Sequence, residues 1–243
     1  MLNIREDILK EPIHQIIYLD DDKKRKELIE AIEKEDPKNI IILDEIGSKP
    51  YQLHENCKKD VLTTLNRQFL YFSIIYKIIE KAEGLDCNIN NIDILIEMVN
   101  MMYLSNDTKY LKNLSELKNH LYIGKETYKM GIEEYSITGN VKFDFERLLI
   151  PKVDIINVST KAKRLINEIS NMLILFNHEK EISLSATETV NDLIFTRINR
   201  NFSVKLFTDA DSWKTFTTDT GQVLSEHSDY NLVDLNGVSL IKN

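Results

Sequence analysis

A continuous apolar run, Ile40-Ile41-Ile42-Leu43, constrains the fold of this chain more than any other feature of its sequence. A strand without polar alternation is typical of a parallel sheet that is covered on both faces. The run follows a β-prone segment at His14–Leu19 and an amphipathic segment at Lys23–Glu35. This order predicts a β-α-β element, whose simplest arrangement is a pair of neighbouring parallel strands joined by a right-handed crossover.

Helical periodicity dominates the next ninety or so residues of the chain. Apolar residues recur every three or four positions in Asp60–Lys81, and the part from Phe69 to Ile79 is apolar almost all round. That pattern predicts a central, buried helix. Similar spacing predicts further helices at Ile92–Leu104, at 111–121 and at Tyr122–Tyr135, which together form a helical layer.

The pattern changes again after residue 139. Alternating residues predict strands at Val141–Phe145 and Val153–Val158. An amphipathic helix is expected to bury the face from Ala162 to Phe176, which includes Met172 and Leu173, and another is expected at Val190–Phe202.

Turn signals in the last forty residues predict antiparallel sheet. After a strand at Val204–Thr208, Asp219-Thr220-Gly221 and Asn236-Gly237 each separate two β-prone runs, and Asn-Gly is a strong hairpin signal. The expected hairpins pair Trp213–Thr218 with Gln222–Glu226, and Asn231–Leu235 with Val238–Lys242.

The fold class expected from these segments is α+β, or mixed α/β. It has an N-terminal β-α-β element, a central helical layer, and a C-terminal helix with antiparallel hairpins. The expected division is 1–137 and 138–243, packed as one compact domain or as two subdomains, since no flexible linker is visible.

Composition narrows the class of partner and the compartment. Lys and Arg number 31 and Asp and Glu 39, giving a net charge of −8, whereas nucleic-acid binding needs a positive face. Two cysteines, Cys57 and Cys87, make no disulfide framework and indicate free thiols in a reducing compartment. The charged N-terminus has no signal-peptide core, and the longest apolar run, Phe69–Tyr76, is too short to span a bilayer. We therefore expect a cytoplasmic protein that does not associate with membranes.

Acidic residues follow both strands of the predicted β-α-β element. Asp20 and Asp22 come after the first strand, and Asp44 and Glu45 come after the second. If these strands are neighbours, the four carboxylates emerge at one carboxyl edge, where open α/β folds bind ligands. Oxygen ligands suit Mg²⁺, so the pattern predicts a magnesium site as one hypothesis. The other interpretation is helix capping and a solvated strand end.

Tyrosines are concentrated in one part of the helical region. Five of the ten tyrosines fall between residues 103 and 135, and tyrosine is enriched at protein interfaces. They predict a surface for a protein partner or for self-association, formed by Tyr103, Tyr110, Tyr122, Tyr128 and Tyr135.

Two hypotheses about function follow. The sequence lacks both the G-x-x-x-x-G-K-[ST] phosphate loop and the G-x-S-x-G nucleophile elbow. The first hypothesis is a non-catalytic interaction module, namely an accessory subunit, inhibitor or regulator, that acts through an acidic surface and needs no cofactor. The alternative is a nuclease-like, Mg²⁺-dependent phosphoryl-transfer or phosphodiesterase enzyme that uses the four acidic residues.

Overall fold

The computed structural model describes residues 8, 13–37, 40–43, 53–84, 96, 113–142, 172–178, 182–195, 202–213 and 215–237. Within these residues the chain forms five strands and four helices: β1 (Gln15–Tyr18), α1 (Asp22–Glu35), β2 (Ile40–Leu43), α2 (Lys59–Gly84), α3 (Leu114–Thr138), β3 (Met172–Asn177), α4 (Leu184–Phe195), β4 (Phe202–Thr208) and β5 (Asn231–Asp234). The chain divides into two compact units, one of residues 1–46 with 171–243 and one of residues 47–170. The boundary expected between residues 137 and 138 lies inside the second unit.

The first unit contains a five-stranded sheet in the order β2-β3-β4-β1-β5, and every neighbouring pair in it is parallel. The β-α-β element is therefore confirmed in its elements but not in its pairing, because β3 and β4 lie between β1 and β2. From β1 the chain runs to β2 at one edge of the sheet, and from β4 it runs to β5 at the opposite edge. The neighbours β1 and β4 thus flank a switch point, where open α/β sheets bind ligands outside the carboxyl ends of the strands.

Helix α1 covers one face of this sheet. Its apolar residues Leu28, Ile29 and Ile32 are buried in the same cluster as Leu175 of β3 and Phe207 of β4. Strands β3 and β4 are buried at every position whose side chain is described. The sequence of β3 is apolar up to Asn177, as is typical of a strand covered on both faces, whereas β4 carries the buried polar residues Ser203, Lys205 and Thr208 among its apolar ones.

An α/β fold with an all-parallel sheet replaces the expected α+β fold with antiparallel hairpins. Strand β5 pairs in parallel with β1, and Val238–Lys242, its expected hairpin partner, lie outside the described residues. The turn at Asp219-Thr220-Gly221 does form, with a backbone hydrogen bond of 2.8 Å from Thr218 to Gln222. It closes only a single antiparallel bridge between Thr217 and Val223, because a turn sequence fixes a local reversal and not a sheet.

Two predicted helices are wrong in part. Met172, Leu173 and Phe176, expected on a helix, lie on strand β3. The helix expected at Val190–Phe202 is instead α4, which ends at Phe195, while Phe202 begins β4. A short apolar run fits a buried strand and a buried helix equally well, so periodicity alone could not separate them.

The second unit contains an extended helix pair. The helix expected at Asp60–Lys81 is confirmed as α2, and the two helices expected between residues 111 and 135 are the single helix α3. The predicted helix at Ile92–Leu104 and the predicted strands at Val141–Phe145 and Val153–Val158 lie largely outside the described residues. Among the described residues, no helix is both long enough and apolar enough to cross a membrane.

Candidate functional site

The carboxyl edge of the sheet brings together segments that are far apart in sequence. The backbone N–H of Leu19, after β1, donates to the carbonyl of Thr208 at the end of β4 across 2.9 Å. The N–H of His178, after β3, donates to the carbonyl of Phe207 at the same distance. These hydrogen bonds join the carboxyl ends of β1, β3 and β4 at the switch point.

Arg25 of α1 is the central polar group of this edge. Its side chain is only 1% exposed. Nη1 donates to the carbonyl of Leu19 at 2.8 Å, Nε donates to Oδ1 of Asn177 at 3.0 Å, and Nη2 pairs with the carboxylate of Asp22. All three nitrogens of the guanidinium are thus engaged within the protein, and Arg25 is committed to joining α1 to the ends of β1 and β3.

The backbone donors at this edge are engaged by the chain's own carboxylates. Asp21 caps α1 by accepting hydrogen bonds from the N–H groups of Lys23 and Lys24 at 3.0 and 3.1 Å. The bond from Lys24 is the main reason that the pKa of Asp21 is lowered. Asp20 Oδ1 accepts the N–H of Ala210, after β4, at 3.0 Å. Asp21 therefore occupies N–H donors at the start of α1 that a phosphate would otherwise bind.

His178 is buried beside this network. Its Nδ1 lies 2.9 Å from Oγ1 of Thr208, and its ring meets Trp213 edge-on with centroids 5.4 Å apart. Burial lowers the pKa of His178 to about 4, so the imidazole is neutral at pH 7. The nearby Ser212 hydroxyl donates to Oδ2 of Asp209 and not to His178, so these three residues do not form the arrangement of a catalytic triad.

Burial raises the pKa of Asp209, but hydrogen bonds from the side chain and backbone of Ser212 and from the backbone of Asp211 outweigh it and leave the pKa lowered. Neither Arg25 nor His178 is among the site residues predicted from the sequence. A lone arginine early in a helix and a lone histidine after an apolar run belong to no functional motif. The hydrogen bond between Arg25 and Asn177 depends on the strand order, which the sequence does not show.

The predicted magnesium ligands are only partly described. Asp20 and Asp22 are exposed at the start of α1, where Asp22 pairs with Arg25, whereas Asp44 and Glu45 lie outside the described residues. Three strand spacings separate β1 from β2, which amounts to about 14 Å. The premise that the two strands are neighbours is therefore wrong. In the described part of the chain, no three His, Cys, Asp or Glu residues are grouped so that they could hold a metal ion.

The five predicted surface tyrosines occupy different environments. Tyr103 and Tyr110 lie outside the described residues. Tyr128 packs against Phe72 with ring centroids 5.3 Å apart, and its burial raises its pKa. Tyr135 is buried, and its hydroxyl accepts the N–H of Lys58 at 2.7 Å.

Tyr122 is the member of this group that the structure describes as exposed, at 47%. Its ring lies 6.0 Å from that of Tyr76 on α2, and the ammonium of Lys125 lies 6.0 Å from both ring centroids. The described tyrosines therefore divide between the core of the helix pair and its outer surface.

The outer surface of α3 carries further large apolar side chains. Ile123, Met130 and Ile137 are 54%, 68% and 63% exposed. Seven residues advance an α-helix by nearly two turns, so these three side chains form a line along it. We call Ile123, Met130 and Ile137 the α3 stripe. The stripe is not among the residues predicted from the sequence, because three apolar residues seven positions apart do not stand out beside the apolar residues that α3 buries.

Comparisons with protein families, with curated proteins and with solved structures found no significant match to this chain. Function therefore has to be inferred from the chemistry of the described residues.

Proposed function

We propose that the chain is a non-catalytic protein-interaction module, an accessory subunit, inhibitor or regulator, that acts through an acidic surface on the outer face of α3. The observation that carries this proposal is the α3 stripe, three large apolar side chains more than half exposed on one helix face. Single exposed apolar residues are ordinary, and what sets these three apart is that they lie in one line along α3, about 10.5 Å from one to the next.

The packing of α3 explains why the α3 stripe is not needed for the fold itself. The buried residues of the helix lie on the side turned to α2, and they include Leu117, Leu121, Gly124, Tyr128, Ile132 and Tyr135. The α3 stripe lies on the opposite side of the helix. Its apolar area adds nothing to the contact with α2, whereas a partner could bury it at about 25 cal/mol per Å².

Glutamates flank the α3 stripe, among them Glu134, which pairs with Lys142 at 2.5 Å, and Glu126, which pairs with Lys125 at 3.4 Å. Glu126, Glu133 and Glu134 each lie three or four residues from one of its members, and such positions are neighbours on a helix surface. Apolar anchors within a charged rim resemble the general composition of protein interfaces. This supports the expectation that the acidic balance of the chain serves recognition.

The carboxyl edge of the sheet supports the non-catalytic part of the proposal. Its backbone donors are engaged by Asp20 and Asp21, its guanidinium by Leu19, Asn177 and Asp22, and its one described hydroxyl–carboxylate pair has no base aligned with it. The magnesium-dependent alternative rested on β1 and β2 being neighbours, which they are not.

Site-specific photocrosslinking in extract of the native cells tests the proposal. A photoreactive residue at Met130 is expected to give one discrete adduct, and the same residue at Val223, 65% exposed in the other unit, is expected to give none. The captured protein, once purified, should bind the full chain and should bind an Ile123→Ser variant more weakly. Equal adducts from both positions, or none from Met130, would overturn the proposal.

A further inference from the structure

We propose that His178 and Trp213 form a binding site for the hydroxyl group of a small, uncharged molecule such as a polyol or a sugar. The site lies at the carboxyl edge of the sheet, where His178 follows β3 and Trp213 lies shortly after β4. Open α/β sheets bind their ligands outside this edge. The proposal concerns the first unit alone, so it does not depend on the interaction surface on α3.

The observation that carries this proposal is a pair of buried ring nitrogens. Nε2 of His178 and Nε1 of Trp213 have no hydrogen-bond partner among the described residues, and each of the two residues is only 1% exposed. The rings meet edge-on with their centroids 5.4 Å apart, and because they are in contact, one small molecule can reach both nitrogens. Buried polar groups in folded proteins are nearly always hydrogen-bonded, so two orphans in contact point to a bound polar group.

The hydrogen bonds of Thr208 determine which nitrogen of His178 carries the proton. The Thr208 hydroxyl donates to the carbonyl of Asp209 at 3.2 Å, and Nδ1 of His178 lies 2.9 Å from the same hydroxyl oxygen. A hydroxyl has one proton to donate, so both contacts are hydrogen bonds only if Nδ1–H donates to Oγ1. Burial lowers the pKa of His178 to about 4, so at pH 7 the ring carries a single proton and Nε2 is an acceptor.

The two nitrogens therefore present opposite chemistry to a ligand. Nε2 of His178 accepts a hydrogen bond, whereas the indole N–H of Trp213 can only donate one. A hydroxyl group matches the pair, because its O–H donates to Nε2 and its oxygen accepts from the indole. A carboxylate or a phosphate dianion has no proton for Nε2, and an ammonium has no lone pair for the indole N–H. The two rings also offer apolar surface to the carbon atoms of the ligand, as small-molecule sites generally do.

Water is the alternative source of such a hydroxyl. A buried water typically makes about three hydrogen bonds, and it brings two protons to donate. The orphaned nitrogens of His178 and Trp213 offer one acceptor and one donor, so the second proton of a water finds no place on this pair. In an alcohol a carbon atom stands where water has that second proton, and the hydroxyl of a ligand therefore fits the pair more completely.

The turn that follows β4 gives a ligand its way in. Asp209 accepts hydrogen bonds from the N–H of Asp211 and from the hydroxyl of Ser212, so this turn is held largely by its own residues. One further bond runs from the N–H of Ala210 to Asp20. The turn can move away from His178 without losing its internal bonds, and such local opening admits ligands to buried sites.

Proton–nitrogen correlation NMR of the full chain tests the proposal. Trp213 is the one tryptophan of the chain, so its indole N–H gives a single signal that reports on this site. Among glycerol, ribose and glucose, we expect at least one to shift this signal saturably, with a Kd of about 10 mM or lower. Acetate, phosphate and methylammonium at the same concentrations should leave it in place. Long-range nitrogen spectra should show the His178 proton on Nδ1.

Variants locate the binding, which ligand-observed NMR measures. His178→Phe removes the acceptor and Trp213→Phe removes the donor, while each keeps a ring, and each should weaken binding about tenfold or more. Thr208→Val should also weaken it, because Nε2 is then no longer fixed as the acceptor. His227→Asn is the control: His227 is exposed at φ 67°, which asparagine tolerates, and binding should not change. Circular dichroism checks folding, and if His178→Phe does not fold, the other two site variants decide.

Several results would overturn the proposal. They are no saturable shift with any of the three hydroxyl compounds, an equal shift with acetate or phosphate, a His178 proton on Nε2, or unchanged binding by folded Trp213→Phe. A nuclear Overhauser contact between the indole N–H and water that persists at saturating glycerol, ribose and glucose would show that the position holds a buried water only. None of these results bears on photocrosslinking from Met130, so the interaction module is tested separately.

Discussion

The Nε of Arg25 on α1 donates a hydrogen bond to Oδ1 of Asn177 at the end of β3, across 3.0 Å and 152 positions of sequence. The same side chain donates to the carbonyl of Leu19, after β1. Because β4 separates β1 from β3, one guanidinium fixes the distance between two strand ends that do not pair with each other. This relationship holds the carboxyl edge of the sheet together.

Arg25→Met should lower the free energy of unfolding by about 3 kcal/mol, because it leaves the carbonyl of Leu19 and the amide oxygen of Asn177 buried without this donor. Urea denaturation measures the change. Arg25→Lys should restore little of it, since one ammonium cannot reach acceptors in three directions. Lys24→Met, at an exposed neighbour, should change stability by no more than about 0.5 kcal/mol. A fully stable Arg25→Met protein would contradict this role.

The buried imidazole of His178 makes stability depend on pH. Its folded pKa of about 4 lies below the ordinary value of 6.5, so the unfolded chain binds the proton first as pH falls. The stability is therefore fully present above pH 6.5 and is lost towards pH 4, with a slope of at most about 1.4 kcal/mol per pH unit. Denaturant titrations between these pH values should show that slope reduced in His178→Gln. Equal slopes in both proteins would contradict the assignment.

Gly124 is required by the close approach of α3 to α2. A Cβ atom built there would lie 2.2 Å from Cε1 of Phe72, whose ring is fully buried. Alanine normally favours a helix over glycine by about 1 kcal/mol, but overpacking of this kind costs about 1–3 kcal/mol. Gly124→Ala should therefore destabilise the chain, whereas Thr127→Ala, farther from the α2 contact, should not. A stabilised Gly124→Ala protein would show that Phe72 can move aside.

The magnesium hypothesis can be tested at Asp20, a predicted ligand that lies within the described residues. Its Oδ1 accepts the N–H of Ala210, and an asparagine at this position keeps that oxygen. Asp20→Asn should therefore leave stability nearly unchanged, and calorimetric titration with Mg²⁺ should give the same heats in both proteins. If Mg²⁺ gives a heat of binding with the unsubstituted chain that is lost in both Asp20→Asn and Asp44→Asn, this prediction is wrong and the two residues share a magnesium site.

Some elements could be predicted from local pattern alone. Asp20-Asp21-Asp22 before an amphipathic segment predicts the start of α1, and the structure shows Asp21 as its cap. The apolar spacing from residue 60 predicts α2, because the helical period of 3.6 residues is a property of the segment itself and not of its surroundings. The three residues of the α3 stripe form no predicted group in the sequence, and the packing of α3 against α2 decides that they are left exposed.

Other elements could not be predicted in this way. Met172–Asn177 has the apolar content of a buried helix, but it is a strand because β2 pairs with it on one side and β4 on the other. The Asn236-Gly237 turn predicts an antiparallel hairpin, but the partner of β5 within the described residues is β1, which pairs in parallel from more than two hundred residues earlier. A turn sets a local reversal, and long-range burial chooses the partner.

Charge and periodicity are local properties, so the acidic balance, the N-terminal β-α-β segments and the apolar helices of the second unit could be read from the chain alone. The strand order β2-β3-β4-β1-β5 emerged only on folding, and with it came the separation of the acidic strand ends and the joining of Arg25 to Asn177. Strand order depends on which apolar faces are buried together by segments far apart in sequence, and no single segment contains that information.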